Sequence, residues 1–354
     1  MTYPSVGELQ RTLSTGDPGD MWGAVANFTD QLKEAASLTL PSADQLDMGA
    51  VRNIVFCGMG GSAIGGDLLR AYLRQELSVP MIVNREYALP AFVNDQTLAI
   101  VSSFSGNTEE TLSALDQAIA AGAQVLGISS GGELTDRLSG QDAPLIRIPG
   151  GMQPRAALGY SFIPMARMFH RLRLTEREVD AEIDETIALV GDLSEKYQQD
   201  DNNNTAYQLA RALIGMVPVI YTVPELAVVG VRWKGQLAEN AQMLAFTNQL
   251  PEMNHNEIMG WDRQPDFLKQ VALIWLTDSE THPRIRRRME ITGELLRPYP
   301  GYHTQLTTEG NSRMARIFSL IHLGDWASLY AALLQEVDPT AIDRISMLKK
   351  RLND

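Results

Sequence analysis

Val101-Ser102-Ser103-Phe104-Ser105-Gly106-Asn107-Thr108-Glu109-Glu110-Thr111 is the stretch whose reading decides the fold of the first half of the chain. An apolar run, Leu98–Ser102, leads into it, and acids suited to the positive end of a helix dipole lead out of it. Between them stand three hydroxyls and several free backbone amides at the carboxyl end of a strand, which is where open α/β sheets bind ligands. Hydroxyls combined with helix-start amides can hold a phosphate without a lysine. A capped polar loop would account for one or two of these residues but not for the whole set. Ser103, Ser105 and Thr108 are therefore candidate phosphate ligands.

The same strand–turn–helix alternation runs through the flanking sequence. Asn53–Cys57, Pro80–Val83, Leu98–Ser102, Gln124–Ile128 and Leu145–Ile148 read as short buried strands bounded by Gly, Ser, Asn or Pro. Gly65–Gln75 and Thr108–Ala121 are helix-length segments between them. This order predicts right-handed βαβ units and a mainly parallel sheet, so the fold class is α/β. Thr175–Ala212 turns helical, with a polar stretch at Gln198–Asn204, and reads as a connection to a second, smaller α/β unit. That unit has candidate strands at Val217–Thr222, Val271–Thr277 and Tyr302–Leu306. The expected organisation is a helical segment over 1–48 packing on the core, a first domain over 49–185, and a second over 186–354 with a C-terminal helix. In that tail Ile342, Ile345, Leu348 and Leu352 recur at helical spacing. The arginines of Arg284–Arg297 read first as a solvated helix face and only second as an anion site.

Composition narrows the function classes. A formal charge of −13 argues against nonspecific nucleic-acid binding, but leaves room for an anionic small molecule held locally by amides and a few cations. Five histidines and one cysteine, with no HExxH, CxxC or His-x-His spacing, give no sign of a metal cluster. The single cysteine, Cys57, lies in the apolar run Ile54-Val55-Phe56-Cys57 and reads as a small buried side chain rather than a catalytic thiol. No run approaches the ~18 uninterrupted apolar residues of a membrane helix. Met1–Leu13 lacks the basic head and apolar run of a signal peptide, so the expected location is the cytoplasm.

Two further motifs carry polar groups. Phe56-Cys57-Gly58-Met59-Gly60-Gly61-Ser62-Ala63 follows the first strand, and its glycines suit a backbone approached closely by a ligand. It fits the GxGxxA variant of a dinucleotide loop, and Glu86 stands where such an enzyme would want an acid, so an NAD-dependent reading stays open. Later come Val231-Arg232-Trp233-Lys234-Gly235-Gln236-Leu237-Ala238-Glu239-Asn240-Ala241 and Pro251-Glu252-Met253-Asn254-His255-Asn256-Glu257. As a helix the former places Leu237, Ala241 and Leu244 on an apolar stripe and Gln236, Glu239 and Met243 on another face.

The Ser103–Thr111 stretch resembles the phosphate loop of the sugar-isomerase (SIS) fold. With the Gly60-Gly61-Ser62 loop, it resembles the bifunctional phosphoglucose/phosphomannose isomerase family of that fold. The later segments resemble that family's Arg-x-Lys-x-Gln-x-x-Glu-Asn helix and its Pro-Glu-x-Asn-His-Asn-Glu loop, and the likeness covers essentially the whole chain as two SIS-type domains. The resemblance implies Glu239 as the base that moves a proton between C1 and C2 of a phosphohexose. It implies His255 as the ring-opening group, contributed across a homodimer. Pro154-Arg155 matches the family's Pro-Arg loop, with Arg155 the candidate for stabilising the enediolate, and Lys349 falls at the C-terminal active-site lysine, with Lys350 adjacent. Gly60, Gly61, Ser62, Ser103, Ser105, Thr108 and Pro154 would bind the substrate. No cofactor, membrane or nucleic acid is expected. Ala238 and Gln242-Met243-Leu244 depart from the family's more usual Asn and Lys-x-Pro, and bear on substrate preference. A non-catalytic sugar-phosphate sensor would keep the phosphate loop without needing Glu239 and His255.

Overall fold

The computed structural model describes residues 3–141, 143–200 and 203–352. The chain divides into two compact units, Asn27–Ile187 and the pair of segments Met1–Ala26 and Ala188–Asp354.

In the Asn27–Ile187 unit five parallel strands, β1 (Asn53–Cys57), β2 (Met81–Asn84), β3 (Thr97–Ser103), β4 (Gln124–Ser129) and β5 (Leu145–Arg147), lie in the order β2-β1-β3-β4-β5. Every residue of β3 is buried, as expected of a central parallel strand covered on both faces. Val101 packs with Leu115, Leu134 and Leu138, while Val55 and Cys57 meet Ala114. Cys57 is a core residue, and burial pushes its thiol up to about 12. The helix after β1 runs Gly60–Tyr72, starting five residues before the expected Gly65, and the helix after β3 runs Glu109–Ala120. The chain leaves β1 toward β2 on one side and leaves β3 toward β4 on the other. The carboxyl ends of β1 and β3 therefore flank a topological switch point.

The second unit holds four parallel strands, β6 (Val217–Thr222), β7 (Phe246–Gln249), β8 (Val271–Thr277) and β9 (Tyr302–Thr307), in the order β7-β6-β8-β9. Its centre is the Arg313–Leu334 helix, buried continuously from Met314 to Leu333. By length and composition that helix could cross a membrane, but 94 % of the qualifying window is buried within the protein, as in a core helix. An aromatic cluster surrounds its second half: Trp22 stands edge-on to Trp326 at 4.9 Å and to Tyr330 at 5.7 Å, and Tyr207 meets Tyr330 at 5.4 Å. Asn204 closes the polar connection at its end. It accepts from the Tyr207 amide at 3.0 Å and donates to the Tyr197 carbonyl at 2.6 Å, capping the Thr205–Leu213 helix.

Within the same helix His322 is fully buried and accepts from Trp326 Nε1 at 3.0 Å, and burial lowers it to about 3. The folded protein thus resists protonation there, while the unfolded chain takes up a proton below the ordinary value of 6.5. Stability carried by neutral His322 is complete above that pH and is lost as pH falls toward 3. His322→Gln, which keeps an acceptor for Trp326, should remove about 2 kcal/mol of the stability loss between pH 6.5 and 5. Urea midpoints of both proteins across that range check it; parallel curves would deny His322 this role.

Candidate active site

At the β1/β3 switch point the two sequence motifs come together. Ser62, in the first turn of the Gly60–Tyr72 helix, accepts from the Phe104 amide at 3.2 Å and so ties the post-β1 loop to the post-β3 loop. Ser103 is buried; its Oγ accepts from the Gly106 amide at 3.0 Å and pairs with Thr108 Oγ1 at 2.9 Å. Its hydroxyl therefore shapes the loop from inside. Ser105 is exposed, and its Oγ accepts from the Asn107 amide at 3.3 Å. Thr108 is the N-cap of the Glu109–Ala120 helix but makes no side-chain cap bond, since its hydroxyl faces Ser103. The result is a cup of helix-start amides and hydroxyls, suited to an anion.

A third loop completes it. Pro154–Ala156 forms one 3₁₀ turn with Arg155 buried, and a Cβ on Gly61 would lie 2.6 Å from the Pro154 carbonyl oxygen. Only glycine lets these two backbones approach that closely. Gln31 straps the turn from behind, donating to the Ala156 carbonyl at 2.8 Å and accepting from the Gly159 amide at 2.8 Å. Gly60, Gly61, Ser62, Ser103, Ser105, Thr108, Pro154 and Arg155 thus gather at one end of one sheet.

The remaining candidates lie in the second unit. The helix carrying Glu239 runs Ala227–Asn240 and stops there, which corrects the expected longer stripe: Leu237 and Ala241 are buried, but Leu244 is 77 % exposed. Gln236 is buried as well, while Glu239 is half-buried in the last turn. His255 is exposed, in the short turn Glu252–His255 that follows β7. Its loop is fixed at two points: Asn254 Nδ2 donates to Thr292 Oγ1 at 2.8 Å, and Glu257 accepts from Tyr221 Oη at 2.5 Å and Asn248 Nδ2 at 2.6 Å.

Glu239 and His255 belong to opposite ends of the same sheet. The helix runs back from the carboxyl end of β6, and a Cβ on Gly230 would touch Thr222 and Thr247. Nine residues on, about 13 Å along the axis, Glu239 lies toward the amino ends of β6 and β7, whereas His255 follows the carboxyl end of β7. Lys349 sits with Lys350 and Arg351 in the last turn of Asp343–Leu352, a helix with no buried residue. Arg284, Arg287 and Arg288 line a surface cleft of about 370 Å³ together with Asn254, Ile258 and Leu295. Among the described residues no group of His, Cys, Asp or Glu is placed to hold a metal ion.

Residues 202–352 match the family model described as the bacterial phospho-glucose isomerase C-terminal SIS domain. A bifunctional phosphoglucose/phosphomannose isomerase of Caldicellulosiruptor bescii is 42 % identical over 335 residues, covering 94 % of this chain and 98 % of the relative. The chain belongs to that family. A second member, from Aquifex aeolicus, is 34 % identical over 86 % of this chain and 92 % of its own. The fold is shared with a hypothetical protein of Thermus thermophilus, at a TM-score of 0.75 and 16 % identity over 99 % of this chain and 95 % of that one. The enzyme is accordingly an aldose–ketose isomerase, and the sensor and dinucleotide readings left open by the sequence give way.

Some supporting residues carry no signal in the motifs. Ser130 Oγ donates to the Phe104 carbonyl at 2.5 Å, and Asn107 Oδ1 accepts from the Glu133 amide at 3.0 Å, so the turn after β4 buttresses the anion loop. In the second unit Asp325 accepts from Arg232 and Gln236. A lone acid in the apolar run Ile317–Leu334 was the one available clue to it, since a buried charge needs a partner.

Gly106 has φ +73° and a Cβ there would fall 1.7 Å from the Gly131 carbonyl oxygen. Gly106→Ala should cost about 1–3 kcal/mol and deform the anion loop. Its melting temperature should fall and its KM for fructose 6-phosphate should rise together; a normal KM would separate this loop from substrate binding.

Proposed function

We propose that the enzyme interconverts glucose 6-phosphate and mannose 6-phosphate with fructose 6-phosphate through an enediolate. The observation that carries this reading is the pair of loops tied by Ser62 at the β1/β3 switch point, an anion cup in a chain of this family. Ser105, Thr108 and the loop amides hold the phosphate, whose binding energy positions C1 and C2 and takes no part in the chemistry. Glu239 removes the proton from one carbon and returns it to the other. Arg155 stabilises the negative charge that develops on the oxygens; a preorganised donor of this kind is typically worth about 100- to 1000-fold in rate. His255 opens the sugar ring and Lys349 assists at the ring oxygen. Proton transfer between adjacent carbons needs neither a redox cofactor nor a metal. Because the two aldoses differ only at C2, a base able to serve either face gives both activities.

The enzyme acts as a homodimer in which His255 serves the neighbouring subunit's Glu239. The placement of Glu239 and His255 at opposite ends of one sheet supports this, as do the exposed apolar side chains of the same unit, Leu244, Phe246, Met259, Leu295, Leu348 and Leu352.

Glu239→Gln should abolish exchange of the C2 proton of substrate in D2O, lowering turnover by about 100-fold or more while sparing substrate binding. NMR with fructose 6-phosphate reads this directly, and retained deuterium incorporation would remove Glu239 as the base. Mixing Glu239→Gln with His255→Ala protein should restore part of the activity once subunits exchange. With exchange demonstrated by mass-tagged subunits, no recovery would mean that each active site draws both residues from one chain.

A further inference from the structure

The Ala227–Asn240 helix meets the Arg313–Leu334 helix through a row of buried polar groups. Asp325 accepts from Arg232 Nε at 3.1 Å and Nη2 at 2.7 Å, and from Gln236 Nε2 at 2.9 Å. One turn on, Asn240 Nδ2 donates to Ser328 Oγ at 2.9 Å, and Trp233 Nε1 donates to the Leu320 carbonyl at 2.8 Å. Residues 232, 236 and 240 share one helical face, and Glu239 lies beside its end. Both members of the ion pair are buried, and desolvation pushes the Asp325 carboxyl up while Arg232 and Gln236 draw it back. Apolar residues of the same volume would hold two such helices at least as well. A bidentate arginine–carboxylate contact adds something packing does not, a fixed rotation and axial position.

We propose that Asp325 is a positioning residue for Glu239: its hold on Arg232 and Gln236 sets the angle at which the helix presents the Glu239 carboxylate, and its charge cancels that of Arg232. This rests on Glu239 being the base. Arg232 precedes Glu239 by seven residues, about 10 Å along the axis. Other charged and titratable groups lie on the packed elements. On the helix itself Lys234 is exposed. On Arg313–Leu334, Arg316 is bound to Asp278 and Glu280, His322 stays neutral, and Arg313 stands at the first residue. Glu225 lies in the turn before the helix, Tyr221 of β6 bonds to Glu257, and β7 carries no titratable side chain.

Asp325→Asn keeps the shape but removes the negative charge beside Arg232, and losing a negative charge nearby favours the ionised form of Glu239. With fructose 6-phosphate as substrate, kcat should fall about 10- to 100-fold with KM within about twofold. The acid limb of the kcat–pH profile should move down by about half to one unit. The double variant Arg232→Met with Asp325→Leu removes both charges, and its limb should return to the wild-type position while kcat stays low. An acid limb that does not move in folded Asp325→Asn overturns the proposal, because a purely structural role would lower turnover without shifting it. Should Asp325→Asn fail to fold, Gln236→Leu cuts one hold without stranding a charge; it should lower kcat several-fold at constant KM and melting temperature, and an unchanged kcat overturns the proposal. Failure of the underlying reading shows separately, as C2 exchange surviving in Glu239→Gln.

Discussion

A helix buried on every side can carry a charge only where a partner meets it; Arg316–Asp278 is one such meeting point in the second unit and the Arg232–Asp325 pair is the other that bears on Glu239. Removing either partner of such a pair typically costs about 3–5 kcal/mol, since the other is left charged and unpaired. The pair therefore specifies more than it stabilises. Trp233, Gln236 and Asn240 add their bonds along the same line, so the helix that carries Glu239 has one register on its support. The β6–β7 edge lies against the far side of that helix, where Gly230 admits Thr222 and Thr247 at close range.

The Asn27–Ile187 unit faces a different problem, because the anion site proposed there lies in a chain of net charge −13. What it offers is oriented amides and hydroxyls. Each loop is pinned by a neighbour: Ser62 holds the Phe104 amide, Ser130 its carbonyl, and Gln31 the Pro154–Ala156 turn. Such pinning removes the loop motion that binding would otherwise have to arrest, which is the physical content of preorganisation. The hydroxyls of Ser62, Ser103 and Ser130 are all bonded to loop backbone.

Much of this was legible in the residue pattern because parallel strands buried on both faces must be short, apolar and β-branched, and those runs stand out between Gly, Ser and Pro. β1, β3, β6 and β8 are of this kind. β7, Phe-Thr-Asn-Gln at the sheet edge, is not, and its polar composition hid it. The Arg313–Leu334 helix was hidden for the opposite reason: buried on every side, it has no alternation of faces from which a period could be read. Leu244 was misplaced on a helical stripe because spacing alone does not say where a helix stops, and this one stops at Asn240.

The sequence by itself determined the α/β class, the strand-end position of the Ser103–Thr108 loop, and, through its likeness to known isomerases, the residues to watch. These are local properties: periodicity, turn chemistry and motif spacing each act over a dozen residues or fewer. Only the tertiary structure decided that Pro154 comes against Gly61, that Ser103 is spent inside its loop, and that Asp325 answers Arg232 across 93 residues of chain. It also decided that Glu239 and His255, sixteen positions apart in the sequence, stand at opposite ends of one sheet. Each of these depends on which faces of distant segments are pressed together when water leaves the core, and that cannot be read from the order of residues within any one segment.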